Sequence, residues 1–312
     1  MVYSPHKYWS TNDQATMDFA LALRENHQVP LYLGETGENS NVWFRDAVRL
    51  YEDLGIGWAW WPLKKVESIS CPLSITKTDG YQALLDHWTG NGPAPDPTYA
   101  KAVLMDLTEK LKAEACRRQP DVVDALMRQP YSDETLRWAT SGNVPGIVYA
   151  SDYDMGRAGF AYSDAVDATY HVSAGSFTAW NNGWRHRNDG VDIELCNSNG
   201  PNNGLAVGWT QDGEWTKYTL DAAFTGLYDF DIWVASDVGG GALRLEVNGD
   251  DVSGVVSVSS TGGWDNWSAI QVEDVLLLQG QQALTLHTVS EGYNVASMDV
   301  TWTGETPANL HA

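Results

Sequence analysis

Two kinds of residue in this chain could do chemistry. The first is Glu35, which closes the strand-like run in LYLGETGENS and stands just before small polar residues and an amphipathic segment. A carboxylate held at the end of a strand can attack an electrophilic carbon or move a proton. Two other strand ends carry suitable groups: His6 and Tyr8 in SPHKYW, and Trp61 with Lys64 in GWAWWPLKK. The second kind is tryptophan. Fifteen in 312 residues is several times the usual share, and a flat apolar ring is well suited to meeting a ligand that has apolar faces of its own.

The elements that would position these groups fall into two regions. From Met1 to about Gln129 strand-like and helix-like patterns alternate. Met17 to Arg24, Val42 to Leu54, Tyr81 to Trp88 and Tyr99 to Cys116 read as helices. Met1 to Tyr3 reads as the tail of a strand, Val29 to Gly34 and Ile56 to Leu63 as buried strands. This order predicts parallel strands. From about Val144 short alternating runs (WTKYTL, YDFDIWVA, ALRLEV, QALTLHTV) are separated by Gly, Asn and Asp turns, the pattern of an all-β sandwich. The segment between, QPYSDETLRWATSGNVPG, lacks periodicity and reads as a linker. The expected organisation is therefore a first domain over 1–129, a linker over 130–143, a sandwich over 144–303 and a tail over 304–312.

Charge and motifs exclude several functions. A formal net charge of -22 repels nucleic acid and anionic membranes, and no run of apolar residues is long enough to span a bilayer. Cys71, Cys116 and Cys196 are scattered and odd in number, giving neither a zinc site nor a disulfide framework. The glycines of SDVGGGALRL are flanked by strands on both sides, so a sandwich loop is expected rather than a phosphate loop. There is no G-x-S-x-G or H-E-x-x-H motif, and MVYSPHKYWS lacks the basic and apolar regions of a signal peptide, so localisation is not written in these residues.

The order and spacing of SPHKYW, VPLYLGETGENSNVWF and GIGWAWWPLKK resemble the last three strands of glycoside hydrolase family 5, a (β/α)8 barrel of retaining β-glycosidases. The resemblance implies that Glu35 is the nucleophile, that His6 and Tyr8 line the site, and that Trp61 floors the sugar ring beside Lys64. Retaining hydrolysis needs two carboxyl groups roughly 5 Å apart. In this family the acid/base is a glutamate following an asparagine, upstream of the nucleophile, and the only neighbouring candidate, RENH, has the order reversed. A whole barrel takes about 250 residues. The chain is thus expected to be the carboxyl-terminal part of a longer modular enzyme, inactive alone, with no cofactor for catalysis.

From Val144 to Thr303, PGIVYASDYDMG, RNDGVDIE, VGWTQDGEWTKY, STGGWDNWS and EGYNVASMDVTW resemble carbohydrate-binding modules of family 6, which are jelly-roll sandwiches. The resemblance implies that Trp209 and Trp264 clamp a sugar, that Asn294 bonds its hydroxyls and that Glu194 lies near the same cleft. Trp215 matches a residue that lines a second cleft in some members; here burial is expected. Members usually hold a structural calcium through two glutamates that open the domain. Tyr149 and Ser151 stand there instead, leaving Asp299 as the remaining carboxylate against the six or more oxygens calcium takes. The implied partner is a polysaccharide, a β-glucan (foremost a β-1,4-glucan) or xylan, with a secreted parent protein. A second reading from another class is a binding protein without catalysis, in which the partial barrel is a remnant.

Overall fold

The computed structural model describes residues 1–138, 141–166, 168, 180–197 and 200–305; residues 139–140 of the expected linker and 306–312 of the expected tail lie outside them. The chain divides into two compact units, the first Met1–Leu126 and the second beginning at Met127.

In the first unit β1 (His6–Lys7), α1 (Asp18–His27), β2 (Tyr32–Gly37), α2 (Asn41–Asp53) and β3 (Gly57–Trp61) follow one another, and the strands pair in parallel in the order β1-β2-β3. Helix α2 shows why the order works. The Ser40 hydroxyl caps it by accepting from the Trp43 amide, Val42, Trp43, Phe44, Ala47, Val48 and Tyr51 form its buried face, and Gly55 ends it at φ +64. Tyr51 then reaches β2 through a 2.8 Å bond between its hydroxyl and that of Thr36. Gly37 has no substitute: at φ +142 a Cβ there would lie 2.1 Å from the Trp61 carbonyl oxygen, so only glycine lets β2 and β3 pair at this point.

β3 departs from expectation. It was expected to be buried, yet its residues are half-buried or exposed because it is the last strand of this sheet. β4 (Lys64–Val66), β5 (Leu73–Ile75) and β6 (Arg117–Arg118) form a separate sheet, with α3 (Asp79–Trp88) and α4 (Pro97–Lys110) between β5 and β6 and α5 (Pro120–Met127) closing the unit. A partial (β/α)8 barrel was expected here; the unit instead shows two separate three-stranded sheets, one of them the parallel β1-β2-β3 with two connecting helices.

The second unit is a β-sandwich. Its strands are β7 (Asn143–Val144), β8 (Gly146–Tyr149), β9 (Tyr162–Ser163), β10 (Ile193–Leu195), β11 (Leu205–Val207), β12 (Trp215–Ala222), β13 (Gly226–Ser236), β14 (Gly241–Val247), β15 (Asp250–Asp251), β16 (Val256–Val258), β17 (Gly263–Leu277), β18 (Gly280–Ser290) and β19 (Asn294–Trp302). One sheet runs β10-β11-β19-β13-β17 with β8 added to β19, and the other runs β15-β14-β18-β12-β7 with β9 and β16 at its sides. Period-two alternation builds the core. Tyr218 and Leu220 of β12, Phe230 and Ile232 of β13, Leu243 and Leu245 of β14 and Leu284 and Leu286 of β18 all face inward and pack in one cluster.

The described residues of the segment 130–143, expected as a linker, belong to this second unit. Leu136 bridges to Met155, Arg157 pairs with Asp133, and Arg137 pairs with Asp221 at 3.7 Å. Trp138 adds a further contact: the Arg187 guanidinium lies over its ring at 4.5 Å. Arg187 is 1% exposed; it stacks on Tyr153 at 3.9 Å from the other side, pairs with Asp189 at 3.4 Å and donates to the Tyr153 and Asp154 carbonyls at 2.6 and 3.2 Å. The aperiodicity of the segment reflects packing through single side chains rather than through a regular element. Removing one member of a buried ion pair strands its partner. Arg187→Met is therefore expected to destabilise the second unit by about 3–5 kcal/mol, read as a lowered melting temperature. A chain starting at Val144 should melt below one starting at Met127, and equal melting would show that Trp138 contributes nothing.

Candidate functional site

Two places bring the candidate residues together. In the first unit the register of β1 on β2 sets His6 opposite Glu35. Glu35 Oε2 lies 3.3 Å from His6 Nδ1 and accepts from the Tyr8 hydroxyl at 3.3 Å. Burial and the neighbouring Glu35 carboxylate push the Tyr8 phenol well above its usual range, so it stays a donor. Trp61 ends β3, paired with Gly37, with half its surface exposed. Lys64 is not part of this group. It opens β4 in the other sheet, and its ammonium donates at 2.6 Å to the carbonyl of Leu111, the residue capping the carboxyl end of α4, where a cation is favoured. The neighbouring Lys65 pairs with Glu38.

The second place is at one end of the sandwich. Trp209 follows β11, Trp264 is the second residue of β17, Asn294 opens β19 and Glu194 lies in β10. Both tryptophans are 47% exposed, whereas Asn294 is 3% exposed. The Asn294 amide nitrogen donates to Glu194 Oε1 and, at 3.1 Å, to the Trp264 carbonyl. With its N–H groups so engaged, the side-chain oxygen remains as the acceptor. Gly208 makes room for it: a Cβ at 208 would come within 3.0 Å of Asn294 Oδ1 and 3.0 Å of Glu194 Oε1. Trp209 itself has φ +49, a left-handed backbone that costs a non-glycine residue on the order of 1 kcal/mol and takes its ring out of the strand alternation. The turn is held by Thr210, whose hydroxyl donates to the Tyr293 carbonyl at 2.6 Å, next to Asn294. Sequence reasoning missed Gly208 and Thr210, although the Gly-Trp-Thr order flanking Trp209 carries the signal.

Behind this turn lies a group of carboxylates. Glu214 accepts from the Gln211 and Ala165 amides at 2.8 and 3.1 Å, Asp164 accepts from the Val166 amide at 2.8 Å, and Asp192 accepts from the Asn182 side chain at 2.8 Å. Burial first, then Glu214, Asp192 and Asp189, push the Asp164 carboxyl up to about 8; burial likewise raises Asp192 and Glu214. Glu194 is raised by burial and by Asp265.

Trp215 was expected to be buried, and it is not. It shares the outer parity of β12 with Lys217, while Thr216, Tyr218 and Leu220 point inward. Its ring is half-buried beside His287, 6.4 Å away, in an open groove of ≈ 500 Å³ that also touches Phe160 and Glu246. The alternation of WTKYTL already contained this answer.

The residues do not fit the structural calcium implied by resemblance. Asp299 lies opposite Ile147 on one side and Asp231 on the other, Tyr149 lies opposite Ser297, and Ser151 is fully buried with its hydroxyl accepting from Asn203 at 3.1 Å. Among the described residues no group of three His, Cys, Asp or Glu side chains is placed to hold a metal ion. The segment before β11 is tied down instead by Asn203 to Ser151 and by the Ser297 hydroxyl to the Pro201 carbonyl.

Residues 185–303 match the family model described as carbohydrate binding module (family 6), a match that lies wholly in the second unit. The clotting factor G alpha subunit of Tachypleus tridentatus is 30% identical over 115 residues, which are 36% of this chain and 17% of that protein. The chain thus spans less than a fifth of that relative's length. Among solved structures, the C-terminal family 6 module of LamC from Zobellia galactanivorans is 32% identical over 36% of this chain and 87% of that one, with a TM-score of 0.31. The CBM6cm-2 module of Cellvibrio mixtus lichenase 5A, in complex with cellotriose, is 28% identical over 36% and 88%, with a TM-score of 0.33.

Carboxyl groups whose pKa values are raised in the folded state stabilise it fully below their unfolded values and lose that contribution as pH rises through the folded ones. For Asp164 the window runs from its ordinary value of 3.8 to about 8. The melting temperature should therefore fall as pH rises from 4 to 8.5, and Asp164→Asn should flatten part of that slope. An unchanged slope in the variant would remove Asp164 from the cause.

Proposed function

We propose that the second unit, whose residues 185–303 match the family model described as carbohydrate binding module (family 6), binds a polysaccharide at the cleft of Trp209, Trp264 and Asn294, and that this is what the chain does. The observation that carries the reading is the pair of half-exposed tryptophans beside a buried amide whose oxygen is left to accept. A pyranose has apolar C–H faces and a rim of hydroxyls. The rings take the faces, the Asn294 oxygen accepts from a hydroxyl, and Glu194 fixes the amide from behind. A β-glucan or xylan is the substrate class; a glycan of that size is met outside the cell, which favours a secreted parent. Replacing either tryptophan with Ala should weaken binding to insoluble glucan by about 1–3 kcal/mol, the order of a buried large apolar side chain, with the melting temperature unchanged. Asn294→Ala should cost about 0.5–1.5 kcal/mol. Affinity electrophoresis with soluble glucans, xylan and a melting curve checks both. Full retention by Trp264→Ala with loss in Trp215→Ala would move the site to the outer face of the sheet that carries β12.

A second reading is favoured by one observation in the first unit: Glu35 is held by both Tyr8 and His6 at the end of parallel strands, with Trp61 exposed nearby in register. Under it, this unit is part of a retaining β-glycanase that the module tethers to its substrate by raising the effective concentration. Glu35 would attack the anomeric carbon, while a second carboxyl about 5–5.5 Å away would protonate the leaving oxygen. No reducing sugar above a Glu35→Gln control is expected from soluble β-glucans. A fluorinated β-cellobioside with a dinitrophenolate leaving group needs no protonation, so it isolates the nucleophile. It should add one glycosyl group to Glu35, and no mass gain would overturn this reading.

A further inference from the structure

Two carboxylates border the cleft. Glu194 stands behind Asn294, and Asp265, the residue after Trp264 on β17, is exposed, with its Oδ1 accepting from the Asn197 amide at 3.2 Å. The Asn294 nitrogen that holds Glu194 also holds the Trp264 carbonyl, so both acids belong to one corner of the rim. Neither has a cationic partner among the described residues, and the open groove that Asp265 also lines contains no Lys, Arg or His. The neighbouring groups register this uncompensated charge. Glu194 is raised by burial and then by Asp265, and the Cys196 thiol is pushed up to about 11 by burial and then by Asp265 and Glu194.

The net charge of -22 is spread over the whole chain, whereas salt at physiological strength screens exposed charges separated by more than about 8 Å. A ligand in the cleft therefore meets mainly the charges of its own rim. That rim offers a neutral pyranose two indole faces and an amide oxygen, and it offers a carboxylate-bearing sugar no counter-charge. Asp265 can be neutralised without disturbing the frame, because an asparagine oxygen accepts from the Asn197 amide as well as a carboxylate oxygen does. We infer that Asp265 is a specificity-determining residue: acting through its field together with Glu194, it keeps carboxylate-bearing glycans out of the cleft, so that the module selects unsubstituted stretches of a β-glucan or xylan. The inference rests on the reading of the cleft as sugar-binding.

Titration calorimetry of the full chain with matched neutral and charged polymers tests it: hydroxyethylcellulose against carboxymethylcellulose, and a glucuronoxylan with its carboxyl groups reduced to alcohols against the native form. At about 20 mM salt the neutral member of each pair should bind roughly three- to tenfold more tightly, and the gap should shrink at about 500 mM. Asp265→Asn should close most of the gap by raising affinity for the charged member. Asp250→Asn, at an exposed position on β15 of the other sheet, removes the same charge and should leave the gap as it was. Equal affinity for both members in the unaltered chain, a gap that survives Asp265→Asn, or one that Asp250→Asn closes as well, overturns the role of Asp265 and leaves the cleft intact. Failure of every polymer to bind, or neutral-polymer binding undiminished in Trp264→Ala, overturns the cleft itself and the inference with it.

Discussion

The side chain of Asn294 is buried with its amide nitrogen donating to Glu194 on β10 and to the backbone of Trp264 on β17. A buried amide left without partners costs on the order of 1–3 kcal/mol, so these bonds can be broken only together with the packing around them. They join the ends of three strands into one rigid rim, and the rest of that end of the sandwich is built to permit it. Gly208 leaves the space, Thr210 fastens the turn to Tyr293, and the strained backbone of Trp209 is tolerated because its neighbours are already fixed. Aromatic rings on such a rim lose little freedom when they meet a ligand, and that preorganisation favours binding.

The rim depends in turn on the sheets beneath it. Antiparallel pairing of β13 with both β17 and β19 places Trp264 and Asn294 at the same end of the sandwich, and a shift of one residue would turn every inward side chain of β13 outward. The core of Tyr218, Tyr228, Phe230, Leu245 and Met298 holds that register. In the first unit the same logic is local: α2 packs on the sheet through a continuous apolar face, and parallel pairing aligns the ends where His6, Glu35 and Trp61 stand.

Much of this was legible in the sequence, for identifiable reasons. Sheets with one buried face print their period directly, so WTKYTL and ALRLEV announce strands and their inward residues. Parallel order in the first unit followed from alternating strand and helix patterns. Trp209 and Trp264 were visible through VGWTQ and TGGWD, motifs that carry the family resemblance. Other features depend on long-range contacts that no local pattern records. Arg187 in RHRNDG looks like a solvated cation until Trp138 and Tyr153, distant in sequence, enclose it. Lys64 follows Trp61 closely, but the chain leaves the first sheet between them. Trp215 was misread for a different reason: burial was expected of it without regard to its parity, although parity decides which face a strand residue occupies.

The edge position of β17 has a consequence beyond ligand contact. A fifteen-residue strand at the border of a sheet is a template for pairing with another copy. Two register shifts interrupt its pairing with β13, between Tyr228 and Phe230 and between Val234 and Ser236, and Asp265, Glu273 and Asp274 stand exposed along it. Such irregularity and like charge resist edge-to-edge growth. Copies brought side by side at high local density would then remain separate particles rather than seeds of a common sheet.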